Sequence, residues 1–227
     1  MIKIENVDVY GWEAAIRGAR NPMNSWDKED TQYFDLCGVL PVPSIGSNDL
    51  RLLRNLANAG PDHGKYLRMV TVTVDLTAPL YWWKEFDTYK VGTVANSCST
   101  MHKIHAKPFS MDDFSHEHLF NGIDRTEGED DLEYYENPTT ALNYIVRVLN
   151  YYRNRFLETK DKRYWWQLIQ LLPSSYNQRR TVLLNYQVLK SMYHARRNHK
   201  LDEWRDFCGF IRSLPYSELI TGGDTDV

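Results

Sequence analysis

Five side chains in the last third of the sequence combine functional groups in an unusual way: Asn185, Met192, Arg196, His199 and Glu203. If the segment from about Arg179 towards Ile211 is one helix, bent or broken near Asn198–Leu201, about 100° per residue puts all five on one stripe. The stripe offers an amide, a fixed cation and an imidazole, a set that suits a phosphorylated or carbonyl-bearing ring. A solvated or inter-subunit helix face is the alternative that spacing leaves open. The second candidate is Thr93-Val94-Ala95-Asn96-Ser97-Cys98-Ser99-Thr100, inside a polar stretch from Lys90 to Lys103 with the character of a ligand-facing loop. Hydroxyls and backbone amides at this density can cradle a phosphate. A hydroxyl-rich turn without a ligand is the alternative here.

Aromatic residues supply a third signal. The chain holds 7 Trp and 15 Tyr in 227 residues, an excess of rings with a polar handle that suits ring-stacking pockets, wet interfaces and subunit contacts. Tyr81, Trp82, Trp83 and Tyr89 flank the polar loop; they read either as stacking partners or as core and subunit contacts. Tyr151, Tyr152, Tyr164, Trp165, Trp166 and Tyr186 fall on segments that read as helices. The pairs His102/His105 and His116/His118 match no metal-binding pattern, so no metal site is expected. Cys37, Cys98 and Cys208 are too widely spaced for a disulfide framework or a CxxC site. They point to a reducing, cytoplasmic setting, with Cys98 read as a small buried thiol.

These residues must be held by a framework, and the hydrophobic pattern gives one. Ile2, Ile4, Val7 and Val9 mark a strand over residues 1–10, followed by a short helix from Gly11 to Arg20. Residues 22–46 read as loop. A helix over Asn48–Ala59 follows, with Asn48 as N-cap and Leu50, Leu53 and Leu56 on its apolar side. Met69–Leu76 is the clearest strand, with Val70, Val72 and Val74 on one face. Ala78-Pro79 turns the chain into an aromatic helix over Leu80–Phe86. Residues 108–137 are acidic and irregular, centred on Glu127-Gly128-Glu129-Asp130-Asp131, and read as a solvated excursion. Helices are expected over about 139–158 and 162–172, before the long third helix. Strands and short helices followed by a helical half make an α+β pattern in a single domain spanning 1–227.

Bulk properties narrow the function. With 27 Lys+Arg against 30 Asp+Glu the formal net charge is −3, which argues against a general nucleic-acid binder. A hydrophobic fraction of 42% is enough to fold. The longest apolar runs fall far short of a membrane span, and the first residues lack the apolar stretch of a signal peptide.

Three stretches resemble the flavin-dependent thymidylate synthases. One is the strand and turn from Val70 to Pro79. The second, Thr88-Tyr89-Lys90-Val91-Gly92-Thr93 then Asn96-Ser97-Cys98-Ser99, lies over the family's R-H-R-x-x-S-x-N-E-x-S-x-R-Y motif. The third is Leu172-Pro173, then Asn185-Tyr186-Gln187-Val188-Leu189 and Arg196, similar to the family's L-P…N-x-R-x-L…R block without a gap, with Glu203 and Arg205 near its closing E-I-R.

The resemblance covers roughly 60 to 220. It implies methylation of a pyrimidine deoxynucleotide, dUMP by default, with FAD as cofactor and NADPH and methylenetetrahydrofolate as co-substrates. By residue-to-residue match, Arg196 would bind the dUMP, anchoring the pyrimidine carbonyls and stabilising charge developing on the ring. Ser99 would lie near the nucleotide phosphate. Asn185 and His199 would contact the flavin, as would Lys90, Thr93 and Asn96 from the signature. The R-H-R triplet is Thr88-Tyr89-Lys90 here, one cation of three. Ser97, Met101, Ile169 and Gln187 stand where the family has a glutamate and three arginines. Lys84, Lys103, Arg179 and Arg180 are near enough in sequence to compensate, and Lys84 is taken as a substrate-binding cation. A homotetramer with sites between subunits is also implied, as is the alternative of a divergent protein that has lost the standard activity.

Overall fold

The computed structural model describes residues 2–33, 42–122 and 137–223. Cys37 and the acidic run 127–131 lie outside the described residues. The fold is α+β: a small antiparallel sheet plus helices. Four strands, β1 (Lys3–Tyr10), β2 (Thr71–Pro79), β3 (Thr93–Ser97) and β4 (Asn177–Asn185), line up in the order β1-β2-β4-β3. The helices are α1 (Trp12–Arg20), α2 (Ser47–Asn58), α3 (Leu80–Phe86), α4 (Pro138–Thr159), α5 (Lys162–Leu171), α6 (Tyr186–Arg196), α7 (Asp202–Ser213) and the short α8 (Glu218–Thr221).

Most expected elements are present. The β-branched alternation works as read: Val70, just before β2, and Val72 and Val74 within it are buried, while Thr71, Thr73 and Asp75 are half-buried. The β1 apolar pattern changes parity between Ile4 and Val7, and Asn6 at that point adopts a left-handed φ of 51°. Gly11 begins α1 at φ 92°, where a Cβ would stand 2.0 Å from the Met69 carbonyl oxygen, so the β1–α1 corner requires glycine.

Four expectations change. Asn48 is not the cap of α2: the N-cap position is Gly46, and the Asp30 carboxylate accepts the backbone N–H groups of Asn48 and Asp49 from outside the helix. The buried side of α2 is Asp49, Leu53 and Ala57 rather than three leucines. Thr93–Ser97 is an exposed edge strand, not a loop, because β4 supplies its hydrogen-bonding partner. The long third helix begins later than expected, although its break falls where expected, near Asn198–Leu201. Residues 177–185 form strand β4, whose Gln178, Val182 and Leu184 turn inward while Arg179, Thr181 and Leu183 point out. The helix starts at Tyr186, and residues 197–201 separate it from α7.

The chain divides into two compact units. The first comprises 77–84 and 97–179. In it α4 and α5 form a hairpin over a core of Ile104, Phe109, Phe114, Leu142, Val146, Leu149 and Leu168. Asn137 and Asp161 cap the two helices, accepting N–H from Thr140 and Arg163. Trp82 and Trp83 are buried, and the Trp83 indole donates to the Gln178 carbonyl, which removes both rings from any stacking role.

The second unit comprises 2–76, 85–96 and 180 onward. Its core holds Ile16, Leu53, Leu67, Val72, Leu76, Phe86, Leu184, Leu189 and Phe207. Trp12 meets Tyr186 and Tyr216 edge-on, with ring centroids 5.2 Å away in both cases, and the Tyr186 hydroxyl donates to the Pro215 carbonyl. Tyr186 is therefore a core residue. Burial pushes its phenol well above the usual tyrosine range and the buried Cys208 thiol up to about 11.

Candidate functional site

The proposed helical stripe does not survive the β4–α6 junction, yet some of its members meet by another route. Asn185 ends β4 and caps α6, its Oδ1 accepting the Val188 N–H at 2.9 Å. Met192 is buried on α6, and Glu203 is buried on α7. Arg196 is the last residue of α6, and His199 lies in the turn that follows.

What gathers Arg196 and His199 is the segment 85–93. The Arg196 Nη1 donates to Glu85 Oε2 at 2.6 Å, and its Nε donates to the Tyr89 hydroxyl at 3.0 Å. The Trp204 indole Nε1 donates to the same Glu85 oxygen at 3.0 Å, and His199 Nε2 stands 3.5 Å from it. The guanidinium carbon lies 4.8 Å from the Trp204 ring centroid and 5.7 Å from that of Tyr89. Cation–π attraction to two rings holds the guanidinium in place. Arg196 remains 19% exposed and Glu85 35% exposed, so the cluster opens to solvent.

The same segment reaches Asn185. Gly92, at φ 82°, lies so close that a Cβ there would stand 2.5 Å from Asn185 Nδ2. Thr93 donates its hydroxyl to the Tyr89 carbonyl at 2.5 Å, which tightens the turn. Lys90 and Asn96 are exposed. Arg180, one of the compensating cations, is engaged: its Nη1 donates to Asp87 at 2.7 Å.

The remaining candidates belong to the first unit. Ser99 Oγ accepts the His102 N–H at 3.0 Å and so caps a local turn. Lys84 is exposed near the end of α3. Cys98 is exposed, against the expectation of burial, because it follows the edge strand β3. Among the described residues no group of three or more His, Cys, Asp or Glu could hold a metal ion, and no described helix is long and apolar enough to cross a membrane.

Sequence reasoning did not single out Glu85 or Trp204. The available signal for Glu85 was a lone carboxylate in the aromatic run Leu80-Tyr81-Trp82-Trp83-Lys84-Glu85-Phe86, where an acid needs a partner. Trp204, four residues from Lys200 in a segment otherwise rich in charge, offered less.

Compared by sequence, the chain matches no family model and no curated protein. Its fold is similar to solved structures. It matches thymidylate synthase X (ThyX) from Helicobacter pylori, solved with FAD and dUMP, with a TM-score of 0.66 and 14% identity over 99% of this chain and 98% of that one. It also matches a UMP/dUMP methylase, PolB from Streptomyces cacaoi, bound with 5-Br dUMP, with a TM-score of 0.55 and 18% identity over 84% and 75% of the two chains. Over essentially its whole length, the chain has a fold like that of the flavin-dependent thymidylate synthases.

Proposed function

We propose that this chain is a flavin-dependent methylase of a pyrimidine deoxynucleotide, converting dUMP to dTMP with a folate one-carbon donor. The observation that carries this reading is Arg196 held against the Tyr89 and Trp204 rings and open to solvent, in a chain that matches an FAD- and dUMP-bearing synthase end to end. A fixed cation framed by rings suits the negatively charged oxygens and flat base of a nucleotide. In this reading Arg196 binds and orients the substrate, and the whole chain, 1–227, works as one domain. A homotetramer with sites between subunits and a cytoplasmic setting complete the proposal.

The donor chemistry supports a flavin. Lys90 and Asn96 are exposed donors on the turn and edge strand beside it, and the Asn185 amide is fixed against Gly92, so the three suit the carbonyl and nitrogen edge of such a ring. Thr93 stiffens the turn that carries Lys90, and His199 borders Arg196's carboxylate partner. When bound, FAD would supply the hydride chemistry, with NADPH as reductant. The protein's own residues would bind, orient and polarise the pyrimidine.

A second reading is favoured by one specific observation. Glu85 neutralises Arg196, and Asp87 engages Arg180, so carboxylates meet two cations that a dianionic nucleotide would use. This is the expected appearance of a protein that keeps the fold without the standard activity. One experiment separates the two. The purified chain is reconstituted with FAD, read by flavin absorbance near about 450 nm, and assayed for dTMP formation with dUMP, NADPH and methylenetetrahydrofolate. Retained flavin and dTMP are expected. A colourless protein that neither binds FAD nor makes dTMP ends the synthase reading in favour of the second.

A further inference from the structure

The most unusual arrangement in the second unit is that two hydrogen-bond donors and an imidazole nitrogen, from three positions, converge on one oxygen of Glu85. A guanidinium (Arg196 Nη1, 2.6 Å), an indole N–H (Trp204 Nε1, 3.0 Å) and an imidazole nitrogen (His199 Nε2, 3.5 Å) surround Oε2. Tyr89 completes the wall, its hydroxyl accepting from Arg196 Nε. A surface ion pair formed only for stability needs none of this; one exposed arginine facing one exposed carboxylate would serve, and would contribute little. A fixed cation with further N–H donors and flat aromatic walls is the composition of a binding site for an oxyanion.

We infer that Arg196, His199, Trp204 and Tyr89 form an oxyanion site for a phosphate group, and that the Glu85 carboxylate is a built-in competitor occupying it. This deepens the nucleotide reading and rests on it only for the identity of the natural ligand. Three features support a displaceable occupant. Glu85 is 35% exposed, so its carboxylate can be rehydrated when it leaves. It stands at the end of a helix of only seven residues, α3, next to the turn that carries Gly92. The donors, by contrast, are anchored independently of it: Trp204 is fully buried and packs edge-on against Phe207 with centroids 5.9 Å apart, and Arg196 is held by two rings. Removal of Glu85 therefore leaves the donor set in place. A ligand that must displace an internal anion binds with its intrinsic affinity reduced by the fraction of molecules in which the site is open.

The test uses the full chain, with inorganic phosphate and dUMP as separate probes, in three forms: wild type, Glu85→Gln and Glu85→Ala. Glu85→Gln keeps the side-chain size and one acceptor oxygen for Trp204, so it guards against misfolding in Glu85→Ala; circular dichroism and Tm check both. Phosphate binding is measured by calorimetry and by the rise in Tm that it produces. Both variants are expected to bind phosphate about tenfold or more tightly than wild type, as for a site closed in about nine of ten molecules. Phosphate is expected to restore the Tm lost on removing the ion pair, an effect that a merely structural pair would not show. Adding Arg196→Met to Glu85→Ala should abolish the gain. Phosphate affinity unchanged in both single variants overturns the proposal, and so does a gain that survives loss of Arg196. If phosphate affinity rises but dUMP binds none of the forms, the oxyanion site stands and the nucleotide reading fails. If dUMP binds wild type and neither probe gains from the variants, the nucleotide reading stands and Glu85 is not a competitor.

Discussion

Two arginine–carboxylate pairs in the second unit have the same 2.6 Å separation and differ in everything that matters physically. Arg20 and Asp49 are buried, with side-chain exposures of 4% and 0%. Arg20 donates to Asp49 Oδ1 and to the Ser25 and Lys28 carbonyls, while Asp49 Oδ2 accepts from the Asp30 N–H and the Thr31 hydroxyl. Every direction around the pair ends in protein backbone or a neighbouring side chain that closes the loop after α1 onto α2. Arg196 and Glu85 are partly exposed, framed by aromatic rings, and share their contact with an indole and an imidazole. A buried pair with all its partners made is a structural fastening. A pair at the surface with surplus donors can exchange one partner for another. The same chemistry therefore builds the fold at Arg20 and leaves at Arg196 a guanidinium able to exchange partners, and the discriminating quantity is solvent access rather than bond length.

Breaking the closed pair gives the largest effect. Asp49→Ala leaves Arg20 charged, buried and short of its main acceptor, and strands the Asp30 N–H and Thr31 hydroxyl. Removal of one partner of a buried pair costs about 3–5 kcal/mol, a large part of the stability of a domain this size. Urea unfolding should show the midpoint falling accordingly, with α2 and the 21–33 segment losing hydrogen-exchange protection first. A loss under about 1 kcal/mol, the range of exposed pairs, would erase the contrast drawn here.

Gly92→Ala comes next and acts on the open region alone. At φ 82° an alanine is strained by about 1–2 kcal/mol. Its methyl would also press on Asn185 Nδ2 from 2.5 Å, displacing the amide that caps α6. The expected result is a stability loss of about 2–3 kcal/mol, once about 1 kcal/mol for a weakened cap is included. Flavin affinity should fall with it. Asn185→Ala separates the two parts: it loses the cap without backbone strain, so stability falls by about 1 kcal/mol. Equal losses in the two variants would show that strain at Gly92 contributes nothing.

The history of Asn185 shows what was legible in the sequence and what was not. The residue types of the proposed site were visible: Asn185, Arg196 and His199 stood out because an amide, a guanidinium and an imidazole do not belong on an ordinary core face. The helical count that connected them was applied across a strand–helix junction. Within 177–185 the period-2 signal of Gln178, Val182 and Leu184 was present, but Arg180 on the inward register and Leu183 on the outward one interrupt it and helical spacing from Asn185 onward is also satisfied, so local pattern alone could not arbitrate. β2 was legible because three β-branched residues alternate without interruption. The site's own partner, Glu85, was illegible for a different reason. It is 111 residues from Arg196, and nothing local records that a carboxylate at the end of α3 meets the end of α6. The same holds for Asp30 at α2, where the cap comes from 18 residues away and the nearby Asn48 was the natural but wrong choice.

The smallest expected effect is the sharpest test of the comparison. Arg196→Met removes the guanidinium while keeping an unbranched side chain for the Trp204 and Tyr89 rings. Glu85 then loses its cation, but at 35% exposure it rehydrates, and the Trp204 indole still donates to it. The pair's contribution is that of a partly exposed bridge plus cation–π contacts, so the loss should be about 1 kcal/mol or less, a small fraction of that expected for Asp49→Ala. Binding should respond in the opposite proportion: dUMP affinity should disappear in Arg196→Met while Asp49→Ala, measured under conditions where it remains folded, keeps it. Equilibrium unfolding and dUMP calorimetry on both variants complete a crossed design in which each pair governs one observable. If Arg196→Met instead unfolds the chain as readily as Asp49→Ala does, then solvent access is not what separates the two pairs, and Arg196 is a structural fastening like Arg20.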